Sequence, residues 1–132
     1  MSNEIIKDGR TAMTAVRRGD ATWRDWRAVG HALLEGRELA RRNSGKFGLV
    51  HVEREFSTWC RDNRFNISPT TRGRLMHCMD HIAQIEAWRS TLSDERRERL
   101  RTPSVVWSRY YKSVRQTAAA VSATPSHGAP AP

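Results

Sequence analysis

The stretch from Asn66 to Arg89, NISPTTRGRLMHCMDHIAQIEAWR, decides the fold, because it combines a clear helix start with apolar residues spread well round a helical axis. Ser68 can accept a hydrogen bond from the first turn. Pro69, at the first helical position, has no N–H to leave unpaired, and its fixed φ already suits the helix. Thr70 and Thr71 complete that turn. Leu75, Met79, Ile82 and Glu86 then mark one stripe, while Cys78, Ile82, Ile85 and Trp88 mark a second. A helix with apolar surface on two sides belongs among others, so this stretch is expected to form one buried central helix over about 68–90.

Working outward, the segments on both sides are helical as well. Residues 1–20 carry Ile5, Ile6, Met13 and Val16, but Gly9 and Gly19 weaken a continuous helix, so a short or frayed one is expected. A stronger helix, capped by Asp20 or Thr22, runs through Trp23, Trp26, Val29, Gly30, Leu33 and Leu34 to Leu39 and Ala40. Gly30 and Gly36 each cost about 1 kcal/mol relative to alanine in a helix interior, which implies a crossing helix packed closely against them. Asn43–Gly48 reads as a loop and lacks the spacing of a phosphate-binding Walker motif. The next helix, from Leu49 to Asn63, places Val52, Phe56, Trp59 and Cys60 on one side.

Beyond the central stretch, Ser93-Asp94-Glu95 starts a short acidic-ended helix that stops at Thr102-Pro103. A last helix begins near Ser104, with Trp107, Tyr110 or Tyr111, Val114, Ala118 and Val121 as its apolar stripe. TPSHGAPAP, with no charged side chain and three prolines, predicts an unstructured tail over 123–132. No repeat and no strand-like alternation is present. The expected class is all-α: a compact bundle of about five helices forming a single domain over residues 1–122.

A chain of 132 residues fits one domain and can bury about two-thirds of its unfolded surface without a disulfide or metal staple. Cys60 and Cys78 are expected to be reduced and buried. No leader and no long apolar run is present, so the expected location is the cytoplasm, with no membrane contact. Lysine and arginine number 23 against 14 acids, a net +9, and lysine occurs only at Lys7, Lys46 and Lys112. Arginine suits forked recognition of phosphate or carboxylate, although charge of this kind is also ordinary solvated surface.

Catalytic chemistry finds little support. His77 and His81 stand four apart, a spacing that lets two imidazoles face one metal, but Cys78 occupies the place of the zinc-protease glutamate and no third ligand is near. Neither a nucleophile with its base nor an isolated carboxylate pair is evident. The expectation is a non-enzyme with no cofactor and no metal. Basic surface is the better signal. After Glu98 the chain has no acid, yet Arg99, Arg101, Arg109, Lys112 and Arg115 follow, the last three opposite the aromatic stripe of the final helix. Arg61, Arg64, Arg72 and Arg74 form a second cluster around FNISPTTR, which is similar to the turn and second-helix start of a helix-turn-helix.

The order of short motifs resembles a diffuse group of small helical proteins of unknown function carried by phages, plasmids and integrated elements. Gly36-Arg37-Glu38-Leu39-Ala40, Phe56 with Trp59, and Ile67-Ser68 leading to Arg74-Leu75-Met76 carry the likeness. Trp88, Leu92-Ser93-Asp94-Glu95-Arg96, and Pro103 with Val106 and Trp107 extend it. The resemblance implies a bacterial mobile-element setting and brings no catalytic residues.

Together these readings predict a DNA-binding accessory or regulatory protein that holds duplex DNA. Arg72 and Arg74 would enter a groove, while Arg109, Lys112 and Arg115 would hold phosphates. The alternative is a helical module for an acidic protein partner or for self-association, since five tryptophans are more than one modest core needs. The placement of Trp23, Trp26, Trp59, Trp88 and Trp107 discriminates between them. All five buried within one subunit would favour nucleic acid, and two or more exposed beside each other would favour a protein partner.

Overall fold

A computed structural model describes residues 2–128, and all regular structure among them is helical. Seven α-helices follow in order: α1 (Ser2–Arg18), α2 (Trp23–Ser44), α3 (Leu49–Asp62), α4 (Pro69–Asp80), α5 (Ile82–Ser90), α6 (Asp94–Arg99) and α7 (Pro103–Gly128). A short 3-10 turn, Gly45–Phe47, lies between α2 and α3. None of these helices is long and apolar enough to cross a membrane.

The starts are set locally. Thr22, rather than Asp20, caps α2 through a reciprocal pair: Asp25 N–H donates to Thr22 Oγ1 at 3.3 Å, and Thr22 N–H donates to Asp25 Oδ2 at 2.9 Å. Ser68 Oγ accepts from Thr71 N–H at 3.2 Å with Pro69 following, and Ser93 Oγ accepts from Arg96 N–H at 3.2 Å. Gly19, at φ +82°, ends α1: its N–H donates to Val16 O and that of Asp20 to Ala15 O.

The single central helix expected over 68–90 is interrupted at His81, whose φ of −124° and ψ of 26° leave the helical region. One side of α4 and α5 is also exposed, at Gly73, Arg74, His77, Asp80, Ala83, Gln84 and Ala87. The packing hub is α2 instead. It runs for 22 residues, contacts α1, α3 and α4, and buries Trp23, Trp26, Val29, Gly30, Ala32, Leu33, Gly36, Ala40 and Ser44. Its small residues explain this role, because they let several axes approach closely. A Cβ on Gly30 would sit 2.5 Å from Met79 Sδ of α4, and one on Gly36 would sit 2.2 Å from the Trp59 ring of α3. These are the crossing helices that the two glycines imply.

The same logic reverses the expectation for the N-terminus. Gly9 does not fray α1, since a Cβ there would meet Ala32 Cβ at 2.5 Å. The glycine marks where α2 crosses, with Ala12 and Met13 buried beside it. At the other end the backbone of α7 continues helically past residue 123 to Gly128. Of the tail expected at 123–132, residues 129–132 lie outside the described residues.

Leu75, Cys78, Met79, Ile85, Phe65 and Val106 complete the core. Cys60 and Cys78 are free thiols buried within it. Burial pushes both thiols up, Cys78 to about 12, while the Arg72 guanidinium partly opposes the rise at Cys60. Neither is a thiolate nucleophile at neutral pH.

Candidate nucleic-acid interface

The corner between α3 and α4 is built as a helix stop followed by an anchored linker. Arg64 N–H donates to Arg61 O at 3.1 Å and Phe65 N–H to Cys60 O at 2.8 Å, a Schellman stop with Arg64 at φ 65° in the position that glycine usually fills. That left-handed conformation costs a non-glycine residue of order 1 kcal/mol. Phe65 is buried and stacks on Trp59, with ring centroids 5.4 Å apart. From α1, Arg17 Nη2 donates to Arg64 O at 2.7 Å, and Arg10 donates to Asn63 Oδ1. The connection from Asn63 to Ser68 thus exceeds the turn of about three or four residues in a helix-turn-helix and is clamped to α1.

The four basic residues at this corner behave differently. Arg72 turns inward: its Nη2 donates to Ser57 Oγ at 3.1 Å, and its guanidinium lies 5.3 Å over the Phe56 ring. It therefore ties α4 to α3 while half-buried. Arg61 is exposed and pairs loosely with Asp62 at 3.8 Å. The side chains of Arg64 and Arg74 are exposed, and neither makes an ion pair among the described residues.

On the other surface, α7 packs across α4. Trp107 stacks on His77 at 5.3 Å and 19°, Tyr110 meets Trp88 edge-on at 5.8 Å, and Cys78 Sγ approaches Pro103 O at 3.6 Å. His81 also contacts Trp107, and its Nδ1 lies 3.1 Å from His77 O. Both histidines are thus ring partners of Trp107, His77 stacked on it and His81 tilted against it. No group of three or more metal-binding side chains forms among the described residues. Arg109 and Lys112 are exposed without an ion-pair partner among the described residues, and Arg115 lies 5.9 Å over the exposed Tyr111 ring. From Val114 to Val121 every residue is exposed, so only the first part of the predicted apolar stripe is used internally. No hydrogen bond, ion pair or ring contact among the described residues links this basic group to the α3–α4 corner.

Trp23 and Trp26 are buried, while Trp59, Trp88 and Trp107 are half-buried against the core. None stands exposed beside another. Exposed apolar surface lies elsewhere, at Phe47, Leu49 and Val50 near the start of α3 and at Val114 and Val121 on α7.

Sequence reasoning missed a third basic group. A cleft of about 640 Å³ between the start of α2, α5 and α6 is lined by Arg24, Arg27, Arg89, Arg97 and Arg101. Glu86 and Trp23 hold one wall, with Glu86 Oε1 accepting from Trp23 Nε1 and from Arg27 Nη1, both at 3.0 Å. Arg89 is 7% exposed, lies 5.3 Å over Trp23, and donates to Leu100 O at 2.8 Å and Arg97 O at 3.5 Å, so it caps the end of α6. Burial pushes its guanidinium pKa down, against the nearby Glu86 charge. Arg24 and Arg27 share one face of α2, while Arg89, Arg97 and Arg101, the last lying beyond the end of α6, join them only through the fold.

Arg89→Met keeps the stem volume and deletes the donors, leaving the carbonyls of Arg97 and Leu100 without that partner. It is expected to lower stability by about 1–2 kcal/mol, read as a lower urea midpoint with an unchanged m-value.

No family model, curated protein or solved structure matches this chain.

Proposed function

We propose that the protein binds duplex DNA through the phosphate backbone, without catalysis, using α7 as its basic arm, in an accessory or regulatory role within a bacterial mobile element. One observation carries the reading: α7 bears Arg109, Lys112 and Arg115 exposed and has no acid between Pro103 and Gly128. Cations without local neutralisation release counterions from nucleic acid most effectively. Tyr111, held beneath Arg115, offers an aromatic face next to them. Two tryptophans are buried and three half-buried against the core, none exposed beside another, which gives no tryptophan-built protein interface. Arg64 and Arg74 are further phosphate contacts at the α3–α4 corner, with Arg61 beside them, whereas Arg72 serves packing. Recognition by this set is of the backbone, so little sequence preference is expected. The mobile-element setting rests on the motif resemblance alone.

A gel-shift titration at two salt concentrations, with duplex and single-stranded DNA side by side, tests the reading. Duplex affinity that falls steeply with salt supports it. Undetectable or salt-independent duplex binding overturns it.

A second reading, pairing of α7 with a helical partner or a second copy, is favoured by the exposed stripe Val114, Ala118 and Val121. It predicts a dimer or partner complex that Val114→Glu with Val121→Glu dissociates in sedimentation velocity. A monomer at all concentrations removes the self-association form of this reading.

A further inference from the structure

The arginine cleft between α2, α5 and α6 stands apart from α7 and has no part in the reading above. We infer that it is a binding site for a phosphomonoester, the group carried by small phosphate esters and by the 5′ end of a nucleic-acid strand. Five arginines against Glu86, Asp94 and Glu98 leave the lining at a formal +2, the complement of a group that carries about −1.5 to −2 near neutral pH.

The arginines divide by what neutralises them. Arg27 is paired with Glu86 at 3.0 Å and Arg97 with Asp94 at 3.2 Å. Arg24, Arg89 and Arg101 have no carboxylate partner among the described residues. Arg101 Nε donates to Glu98 O at 3.0 Å, and Arg89 donates to the carbonyls of Leu100 and Arg97. A carbonyl satisfies an N–H but leaves the unit charge in place, so both guanidiniums keep their charge, Arg89 with Glu86 acting on it only from beyond ion-pair distance.

Arg89 holds its charge where solvent is largely excluded, and an anion there is attracted more strongly than at an open surface. Its two fixed donors and the Trp23 ring also hold the planar fork in one orientation, which lowers the ordering cost of binding. Arg97 adds a further sign of incompleteness: its Nε is the one buried side-chain nitrogen or oxygen among the described residues with no partner. The volume accommodates a phosphate with its attached sugar and falls in the usual range for small-ligand sites, about 300–1,000 Å³.

The test uses the full chain and three probes: inorganic phosphate, and a short oligothymidylate ending in either a 5′-phosphate or a 5′-hydroxyl. The variant is Arg24→Ser with Arg101→Ser, two exposed positions outside the core. The 5′-phosphorylated strand is expected to bind about tenfold more tightly than the hydroxyl strand, as one added charge-assisted contact allows. That preference vanishes in the variant and survives Arg109→Ala with Lys112→Ala and Arg115→Ala, which separates the cleft from α7. Saturable inorganic phosphate binding that the cleft variant loses, with the two strands bound alike, assigns the site to free phosphate esters. Equal strand affinities without saturable phosphate binding overturn the inference, as does a preference that the cleft variant retains.

Discussion

Gly36→Ala is expected to destabilise the protein by about 2 kcal/mol, although alanine is the better helix former. A Cβ at Gly36 would lie 2.2–2.5 Å from three atoms of the Trp59 ring. That indole has little room to move, since it stacks on Phe65 at 5.4 Å and on Phe56 at 6.4 Å. Overpacking of this kind costs about 1–3 kcal/mol, and a rigid ring held between two others puts the cost at the upper end. Helix propensity returns about 1 kcal/mol of it. The opposite sign is expected at Gly73 in α4, where an added Cβ meets nothing within 4 Å. Gly73→Ala should stabilise by about 0.5–1 kcal/mol. Urea unfolding of the two variants should therefore differ by roughly 3 kcal/mol. Equal midpoints would show that α2 and α3 do not approach as closely as described.

Replacing Arg109, Lys112 and Arg115 together with alanine is expected to weaken duplex binding by about a hundredfold at moderate salt, from the loss of three backbone contacts of the order of 1 kcal/mol each. The loss should be uniform across unrelated sequences, because phosphate contacts carry no base information. The fold should survive, since all three side chains are exposed and their removal empties no core position. Circular dichroism and the urea midpoint check that point. A loss confined to one sequence would indicate base reading by α7, and unchanged affinity would remove α7 from the interface.

What was legible in the chain was largely what is decided within a few residues. Ser68 and Ser93 announce their caps through hydroxyls acting on the next turn, and Thr22 does so as one of two candidates. Gly30 and Gly36 announce close contacts because an interior glycine is otherwise a cost. The expected all-helical class is found among the described residues. The break at His81 was not legible, since neither glycine nor proline marks it. There α4 gives way to α5 beneath Trp107 and Tyr110, contacts made with a helix more than twenty residues downstream.

The hub was misplaced for a related reason. Apolar residues spread round 68–90 look more central than α2, yet the small residues of α2 gather three neighbours. Arg72 shows the same limit at the candidate site. Its type and spacing suit a groove, and only the position of Phe56 and Ser57 turns it inward. Arg89 closes the 66–89 stretch outside both of its stripes, and its meaning depends on where α6 ends.

The proposed backbone contact is tested most directly by the dependence of duplex affinity on salt, measured for the wild-type chain and the α7 variant in parallel. Each phosphate neutralised contributes about −0.9 to the slope of log K against log salt. Three contacts through Arg109, Lys112 and Arg115 predict a wild-type slope steeper than about −2.7, reduced by roughly that amount in the variant. A wild-type slope near zero, or one that the variant leaves unchanged, would contradict it.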